Sequence, residues 1–379
     1  MTHEPIPLNP PPYGSGTLSD LARSLLASLR VPGEEDVLGL PAADRVCLLV
    51  VDGLGWELLR ENPAAAPFLS ELAATGGPIS AGFPATTVTS LSSLGTGRPP
   101  GQHGMLGYQV ARPGEGKLLN ALRWDPEVDP VVWQPAPTIF QRAAAAGVHA
   151  SYVAASAFRR SGLTNAFARG VDYRGANSLG ELAARAQEAL RGGAGDPSLA
   201  MVYHGHLDGT GHAYGIDSDA WRYELAHVDK LAEQLATGMP EGSVFYVTAD
   251  HGMVDVGSDD RIDADNIPAL REGVALLGGE PRARHVYAKP GAAADVLAAW
   301  RGVLDDRVCV LAREEAIAQG WFGEVAPEFE LRIGDVVAAP YGPAAVVATR
   351  SEPVESSLVG MHGSLTQDDQ LIPLLMLRV

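Results

Sequence analysis

The stretch Ser243 to Met253, SVFYVTADHGM, constrains the fold of this chain more than any other. An unbroken run of apolar and β-prone residues reads as a strand buried on both faces, the pattern of a parallel sheet. The run leads straight into Asp250, His251 and Gly252, so a carboxylate and an imidazole are held at the end of a rigid strand. Alone, Asp-His-Gly has two readings: a metal-binding pair, or an Asx-type turn beside a solvated histidine. Recurrence elsewhere in the chain favours the first.

Arg45 to Val51, RVCLLVV, is a second continuous apolar run, and it ends in Asp52-Gly53-Leu54-Gly55. A dinucleotide-binding loop is excluded there, because the third glycine is missing and an acidic residue stands where pyrophosphate would approach. A third run, Ser198 to Tyr203, leads into His204-Gly205-His206-Leu207-Asp208-Gly209-Thr210-Gly211-His212. Asp208 and His212 lie four apart with two glycines between them, which lets the backbone turn both side chains toward one point. His204 and His206 are rival ligands, or residues that stack and pack beside the strand. His362, flanked by Gly360 and Gly363 ahead of a strand at Ile372 to Leu377, is a further histidine delivered to the sheet edge.

The remaining segments continue this alternation. Helical spacing marks Thr17 to Arg30, Ala65 to Thr75, Thr138 to Ala146, Leu179 to Leu190 and Asp217 to Leu235; strands are expected at Ile79 to Phe83 and His149 to Ala154. The order predicts an α/β fold with a mostly parallel central sheet and helices on both faces. Residues 266 to 345 read differently. Strand-like Arg284 to Lys289, Val308 to Leu311 and Asp335 to Ala338, with helices at Ala292 to Leu304 and Glu314 to Gln319, predict a small inserted α+β subdomain. The main domain would then be 17 to 265 plus 346 to 379, behind a proline-rich leader at 1 to 16. Arg282, Arg284 and His285 read as solvated charge, with a grip on a substrate phosphate as the alternative.

Between Phe83 and Leu91 the chain reads FPATTVTSL and opens into a helix over Leu91 to Thr96. Hydroxyls there serve as helix caps, or one threonine, near the positive helix end and a metal, serves as a nucleophile. Residues 98 to 135 form a long, Gly- and Pro-rich excursion of the kind that covers a site. Gly116-Lys117 is not a phosphate loop, since Leu118 replaces the required Ser or Thr.

The formal net charge is −18 from 28 basic and 46 acidic residues, which excludes a broad nucleic-acid or anionic-membrane surface. A phosphate-bearing ligand would need a local positive centre, and bound cations supply one. Cys47 and Cys309 sit in apolar runs as small hydrophobes, with no disulfide framework. The N-terminus has no signal-peptide pattern and no run is long enough to span a membrane, so the expected location is the cytoplasm.

Ligands in open α/β sheets gather at the carboxyl ends of strands. Asp52, Asp208 and Asp250 with His212, His251 and His362 make two three-ligand sites, and the mixed nitrogen and oxygen donors suit two Zn2+ ions, with Mn2+ or Fe as alternatives. Four cationic charges against three carboxylates leave a net positive hole, suited to a phosphodiester monoanion.

Asp52, the FPATT run at 83 to 87, Asp208-Gly-Thr-Gly-His212, Asp250-His251-Gly252 and His362-Gly363 resemble, in order and spacing, the alkaline phosphatase superfamily, and its nucleotide pyrophosphatase/phosphodiesterase branch in particular. The resemblance implies one zinc held by Asp52, Asp250, His251 and the nucleophile, and a second held by Asp208, His212 and His362. It puts the nucleophile at Thr87, acting through a phosphothreonine intermediate on a small phosphoester or nucleotide. The branch carries asparagine three residues after the threonine; here Ser90 stands there as a shorter phosphoryl hydrogen-bond donor, with the Val88 amide beside it. Within the superfamily the alternatives are a phosphonate or phosphomonoester hydrolase and a phosphoglycerate-mutase-like transferase. From another class, the chain is a catalytically silent metal- or ligand-binding protein.

Overall fold

A computed structural model describes residues 8–191 and 196–379. The leader's residues 1–7 lie outside the described residues. At its centre is a seven-stranded sheet built from β1 (Arg45–Val51), β2 (Gly77–Ser80), β3 (His149–Ala155), β4 (Asp172–Ala176), β5 (Ser198–His204), β6 (Ser243–Ala249) and β7 (Leu371–Arg378). The order across the sheet is β2-β7-β6-β1-β5-β3-β4. β6, β1, β5, β3 and β4 pair in parallel, while β7 runs antiparallel to both β6 and β2. Every residue of β5 and β6 is buried, so both faces are covered, as their continuous apolar sequences require.

Register fixes where the strand ends fall. Val51 lies opposite both His204 and Ala249, and the Asp52 amide donates to the His204 carbonyl at 3.0 Å. Asp52 and Asp250 therefore leave adjacent strands side by side.

Two expectations for the segment before the nucleophile candidate are corrected. β2 stops at Ser80, and beyond it Gly82 donates to the Gln370 side chain and Phe83 to the Tyr13 hydroxyl instead of to a neighbouring strand. The following helix, Thr87–Thr96, begins at Thr87 and not at Leu91. Its hydroxyl-rich sequence is a weak helix former, but nine of its residues are buried. Ser92 and Thr96 hydrogen-bond back to the carbonyls of Val88 and Ser92 at 2.7 Å, so the hydroxyls are satisfied within the helix. Phe83-Pro84, just ahead of it, is a cis peptide.

Asp208 and His212 are likewise not in a flexed loop. They lie on the helix His206–Tyr214, where a spacing of four puts both on one face. The excursion at 98 to 135 is ordered around a hairpin, Gln109–Arg112 with Lys117–Asn120.

Residues within 266 to 345 form a four-stranded antiparallel sheet in the order Val274–Glu280, Ala283–Ala288, Val336–Pro340, Val308–Ala312, with the helix Ala293–Leu304 against it. Val286, Trp300, Leu304 and Val336 belong to a separate apolar cluster. Ala283, Trp321, Phe322, Phe329 and Val337, however, belong to the main core. The segment shares its interior with the main sheet on one side and has its own on the other.

The solvated reading of Arg282, Arg284 and His285 is overturned, because all three are fully buried. Arg282 donates from Nε and Nη2 to both oxygens of Asp369 at 3.0 and 2.6 Å. Arg284 pairs with Glu352 at 2.7 Å and donates to the Val346 carbonyl. His285 lies between the Leu106 carbonyl and the Gly334 amide. These residues face internal carboxylates and carbonyls and not solvent.

Candidate metal centre and nucleophile

The ends of β1, β5 and β6 converge with the loop before β7 and the helix at Thr87. Glycine makes the closest approach possible. Gly53 has φ +76°, and an added Cβ would sit 3.1 Å from Cα and Cβ of Asp208. A Cβ on Gly252 would lie 1.9 Å from the Asp368 carbonyl oxygen, so Gly252 is required by packing and not by its backbone angles.

His251 Nε2 lies 3.2 Å from Asp52 Oδ1, 3.7 Å from Asp250 Oδ2 and 3.3 Å from Thr87 Oγ1. His212 Nε2 lies 3.3 Å from Asp208 Oδ2, and His362 Nε2 is 3.8 Å from Asp208 Oδ1. The His251 and His362 rings stack with centroids 3.6 Å apart, and His212 is 5.2 Å from His362. The structure thus brings Asp52, Thr87, Asp208, His212, Asp250, His251 and His362 into one place. Two three-residue groups have donor atoms within 4.8 Å of one another: Asp52, Asp250, His251, and Asp208, His251, His362. His251 belongs to both, whereas the resemblance gives the second site His212; here His212 reaches the group through Asp208.

The three histidines are oriented alike. Nδ1 of His212, His251 and His362 lies 2.7, 2.9 and 2.8 Å from the carbonyls of Gly360, Gly252 and Ala85. A carbonyl only accepts, so Nδ1 carries the proton in each and Nε2 faces the carboxylates.

The charge balance of the cluster fits cations. Asp52 Oδ1, Asp208 Oδ1 and Asp250 Oδ2 are buried without a hydrogen-bond partner. Burial and the nearby Asp52 push the Asp250 carboxyl well above the ordinary carboxylate range. Burial works against a charged His251, but Asp250 and Asp52 outweigh it and hold that imidazole well above its usual value. Burial, reinforced by His251, pushes His362 well down. For Asp208 burial is outweighed by His212, and its carboxyl is lowered. Three orphaned carboxylate oxygens facing three oriented imidazole nitrogens form a donor set that fits zinc-class ions.

Thr87 is the first residue of its helix, and Thr86 does not cap the helix with its side chain. The first-turn amides of Thr87 and Val88 therefore keep their hydrogens for an anionic acceptor. Ser90 follows one turn later, fully buried, its Oγ without a partner.

Beside these residues opens a cavity of about 560 Å³, lined at one end by Asp52, Thr87 and Asp208 and elsewhere by residues such as Leu91, Tyr152, Phe158, Phe167 and Leu182. Among the described residues, no lysine or arginine lines it. Ala121 and Leu122, from the excursion at 98 to 135, complete its wall.

Two residues here went unnoticed in the sequence. Tyr203 donates its hydroxyl to Asp52 Oδ2, fixing the carboxylate from the neighbouring strand; its place one residue before the end of β5 was the available signal. Glu280 brings a buried carboxylate against Gly363. Burial pushes it up to about 7, and nothing local in the sequence marks it.

The sequence profile described as type I phosphodiesterase / nucleotide pyrophosphatase matches residues 46–365. The chain belongs to this family. With it comes membership of the alkaline phosphatase superfamily and the standing of a phosphoric ester hydrolase. Among curated protein sequences nothing matches the chain. Among solved structures, an inactive form of murine ectonucleotide pyrophosphatase/phosphodiesterase 5 in complex with AMP superposes with a TM-score of 0.69 at 21% identity, covering 87% of each chain. The human protein of that name gives 0.68 at 20% identity, again covering 87% of each chain. Phosphonoacetate hydrolase from Sinorhizobium meliloti, in complex with phosphonoformate, gives 0.67 at 19% identity, covering 89% of this chain and 90% of that one. At these identities the likeness is one of fold.

Proposed function

We propose that this family member hydrolyses phosphodiester or nucleotide pyrophosphate bonds with two zinc ions and Thr87 as nucleophile, through a phosphothreonine intermediate. The observation that carries the reading is Thr87 Oγ1 at 3.3 Å from His251 Nε2, beside three buried carboxylate oxygens without partners. Asp52, Asp250 and His251, with Thr87, would hold one ion; Asp208, His212 and His362 would hold the other. Bound there, the ions supply charge that lowers the hydroxyl pKa and offsets the charge growing on phosphoryl oxygens.

The rest is the work of the chain. Thr87 Oγ1, its proton given up to solvent, attacks phosphorus from the helix N-terminus, whose free amides at Thr87 and Val88 face the anionic group. The P–O bond to the alcohol or nucleotide breaks as the new bond forms, and the departing oxygen takes a proton from water. Ser90 Oγ, without a protein partner, is available as a further donor. Tyr203 keeps Asp52 in one orientation. Water then releases the phosphoryl group from Thr87.

The cavity bears on the substrate. With no lysine or arginine in its lining, it suits the uncharged or aromatic substituent of a diester better than the second charge of a phosphonoacetate or a monoester. The proposed compartment is the cytoplasm, a reading supported by the unpaired state of Cys47 and Cys309.

The test compares bis(p-nitrophenyl) phosphate with p-nitrophenyl phosphate on zinc-loaded protein, alongside Thr87→Ala. Faster diester turnover that disappears in the variant while zinc stays bound is the expected result. A faster monoester rate would move the assignment to phosphomonoesterase. No turnover in the zinc-loaded natural chain would leave only a binding protein.

A further inference from the structure

β5 delivers a second set of nitrogen and oxygen donors that the proposed reaction does not use. His204, its last residue, is 4% exposed, and its Nε2 lies 3.0 Å from Glu224 Oε1. His206 opens the next helix, and its ring centroid is 5.0 Å from that of His204. Glu224 comes from a third element, the helix Asp219–Thr237. One turn further along that helix, His227 Nδ1 lies 3.5 Å from the other oxygen of the same carboxylate. Donor atoms of His204, His206 and Glu224 all fall within 4.8 Å of one another.

A single hydrogen bond between His204 and Glu224 would be an ordinary way to satisfy a buried imidazole. It does not account for His206, whose ring makes no hydrogen bond to any described residue yet brings its donor atom into the group. Two imidazoles and one carboxylate converging on one point form a mixed nitrogen and oxygen set that suits zinc with a fourth position open, and is unlike the oxygen-rich cages of calcium or magnesium.

We propose that His204, His206 and Glu224 bind a further divalent cation of the zinc class, with a fourth position open to water, separate from the pair beside Thr87. The helix His206–Tyr214 carries His206 in its first turn and Asp208 two residues on. An ion at His206 would tie that turn to the end of β5 and to the helix bearing Glu224, bracing the segment that presents Asp208 and His212. His204 and His206 also line the cavity, so the brace would stand in its wall. The proposal does not rest on the hydrolase reading, because it uses none of the seven residues around Thr87.

The experiment counts zinc ions per chain by native mass spectrometry and calorimetric titration of chelator-stripped protein. The natural chain, His206→Ala, Glu224→Gln and Asp250→Asn with His251→Ala are compared. His206 is exposed, so its replacement leaves folding intact. The expected result is three ions in the natural chain, one fewer in His206→Ala and in Glu224→Gln, and an ion retained at this site in the Asp250/His251 variant. Co2+ substitution should add a visible d–d band that His206→Ala removes. An unchanged ion count in both His206→Ala and Glu224→Gln would overturn the proposal. So would binding at this site only at millimolar zinc. Loss of ions solely in the Asp250/His251 variant would overturn it while leaving the pair intact; loss solely in the His206 and Glu224 variants would uphold it and remove the pair.

Discussion

Three histidines at the centre, His212, His251 and His362, each direct Nδ1 to a main-chain carbonyl, so the reactive nitrogen is chosen by the backbone. Thr87→Ala should lower kcat for a diester by roughly three orders of magnitude or more, with zinc content and melting temperature little changed; Thr87→Ser should recover part of the rate. Steady-state kinetics with a phosphoenzyme trap measure both. Tyr203→Phe releases Asp52 Oδ2 from its only side-chain donor and should weaken zinc binding about 10- to 100-fold, read by competition with a fluorescent chelator. Unchanged affinity would show that Tyr203 serves packing alone. Asp52, Asp208, Asp250 and His362 could be picked out in the sequence because each follows an apolar run or sits between glycines. Tyr203 was passed over despite standing one residue before the end of β5, since its partner lies 151 positions away. Arg282, Arg284 and His285 were misread for the same reason: charge is local, but burial is decided by distant Asp369, Glu352 and Leu106.

At the scale of elements, β1, β3, β5 and β6 were legible nearly to the residue, because a strand covered on both faces is apolar throughout, whereas the edge strand β4 went unmarked, most of its residues only half-buried. The helix carrying Thr87 was legible only in its second half, since its hydroxyls bond to its own carbonyls in a way propensity does not show. Val274–Glu280 escaped notice altogether; its Gly278 and Gly279 break the apolar run that would have marked a strand. Close contact between loops yields a direct prediction. Gly252→Ala drives a methyl into the Asp368 carbonyl and should destabilise the fold by about 1–3 kcal/mol or more, measured by urea unfolding. Arg282→Met leaves the wholly buried Asp369 without its cation and should cost about 3–5 kcal/mol. Replacing Asp369 by leucine in the same chain should recover part of that loss, and no recovery would mean that Asp369 matters mainly for its bonds to Ser364 and Thr366.

For the molecule as a whole, the segment at 274 to 340 is joined to the main sheet through buried polar contacts, and one of them titrates. Burial pushes His285 down from 6.5 to about 4, and burial with Arg332 and Arg98 takes His103 to about 3. Both are neutral when folded, while in the unfolded chain they take up protons below about pH 6.5. Stability from these groups is therefore complete above pH 6.5 and is lost as pH falls toward 4. For His285 the loss is on the order of 3 kcal/mol. Urea unfolding between pH 7 and 4.5 should show this slope, and His285→Gln should flatten it.

The side-by-side exit of Asp52 and Asp250 from adjacent strands has one more effect. Sheet pairing itself forces two acidic groups together in a place water does not reach, so the folded chain carries a repulsion that a bound cation relieves. Chelation at neutral pH should lower the melting temperature, and Asp250→Asn should stabilise the stripped protein while reducing the rise in melting temperature that added zinc produces. For this chain, heat resistance would then report on the metal supply of its surroundings.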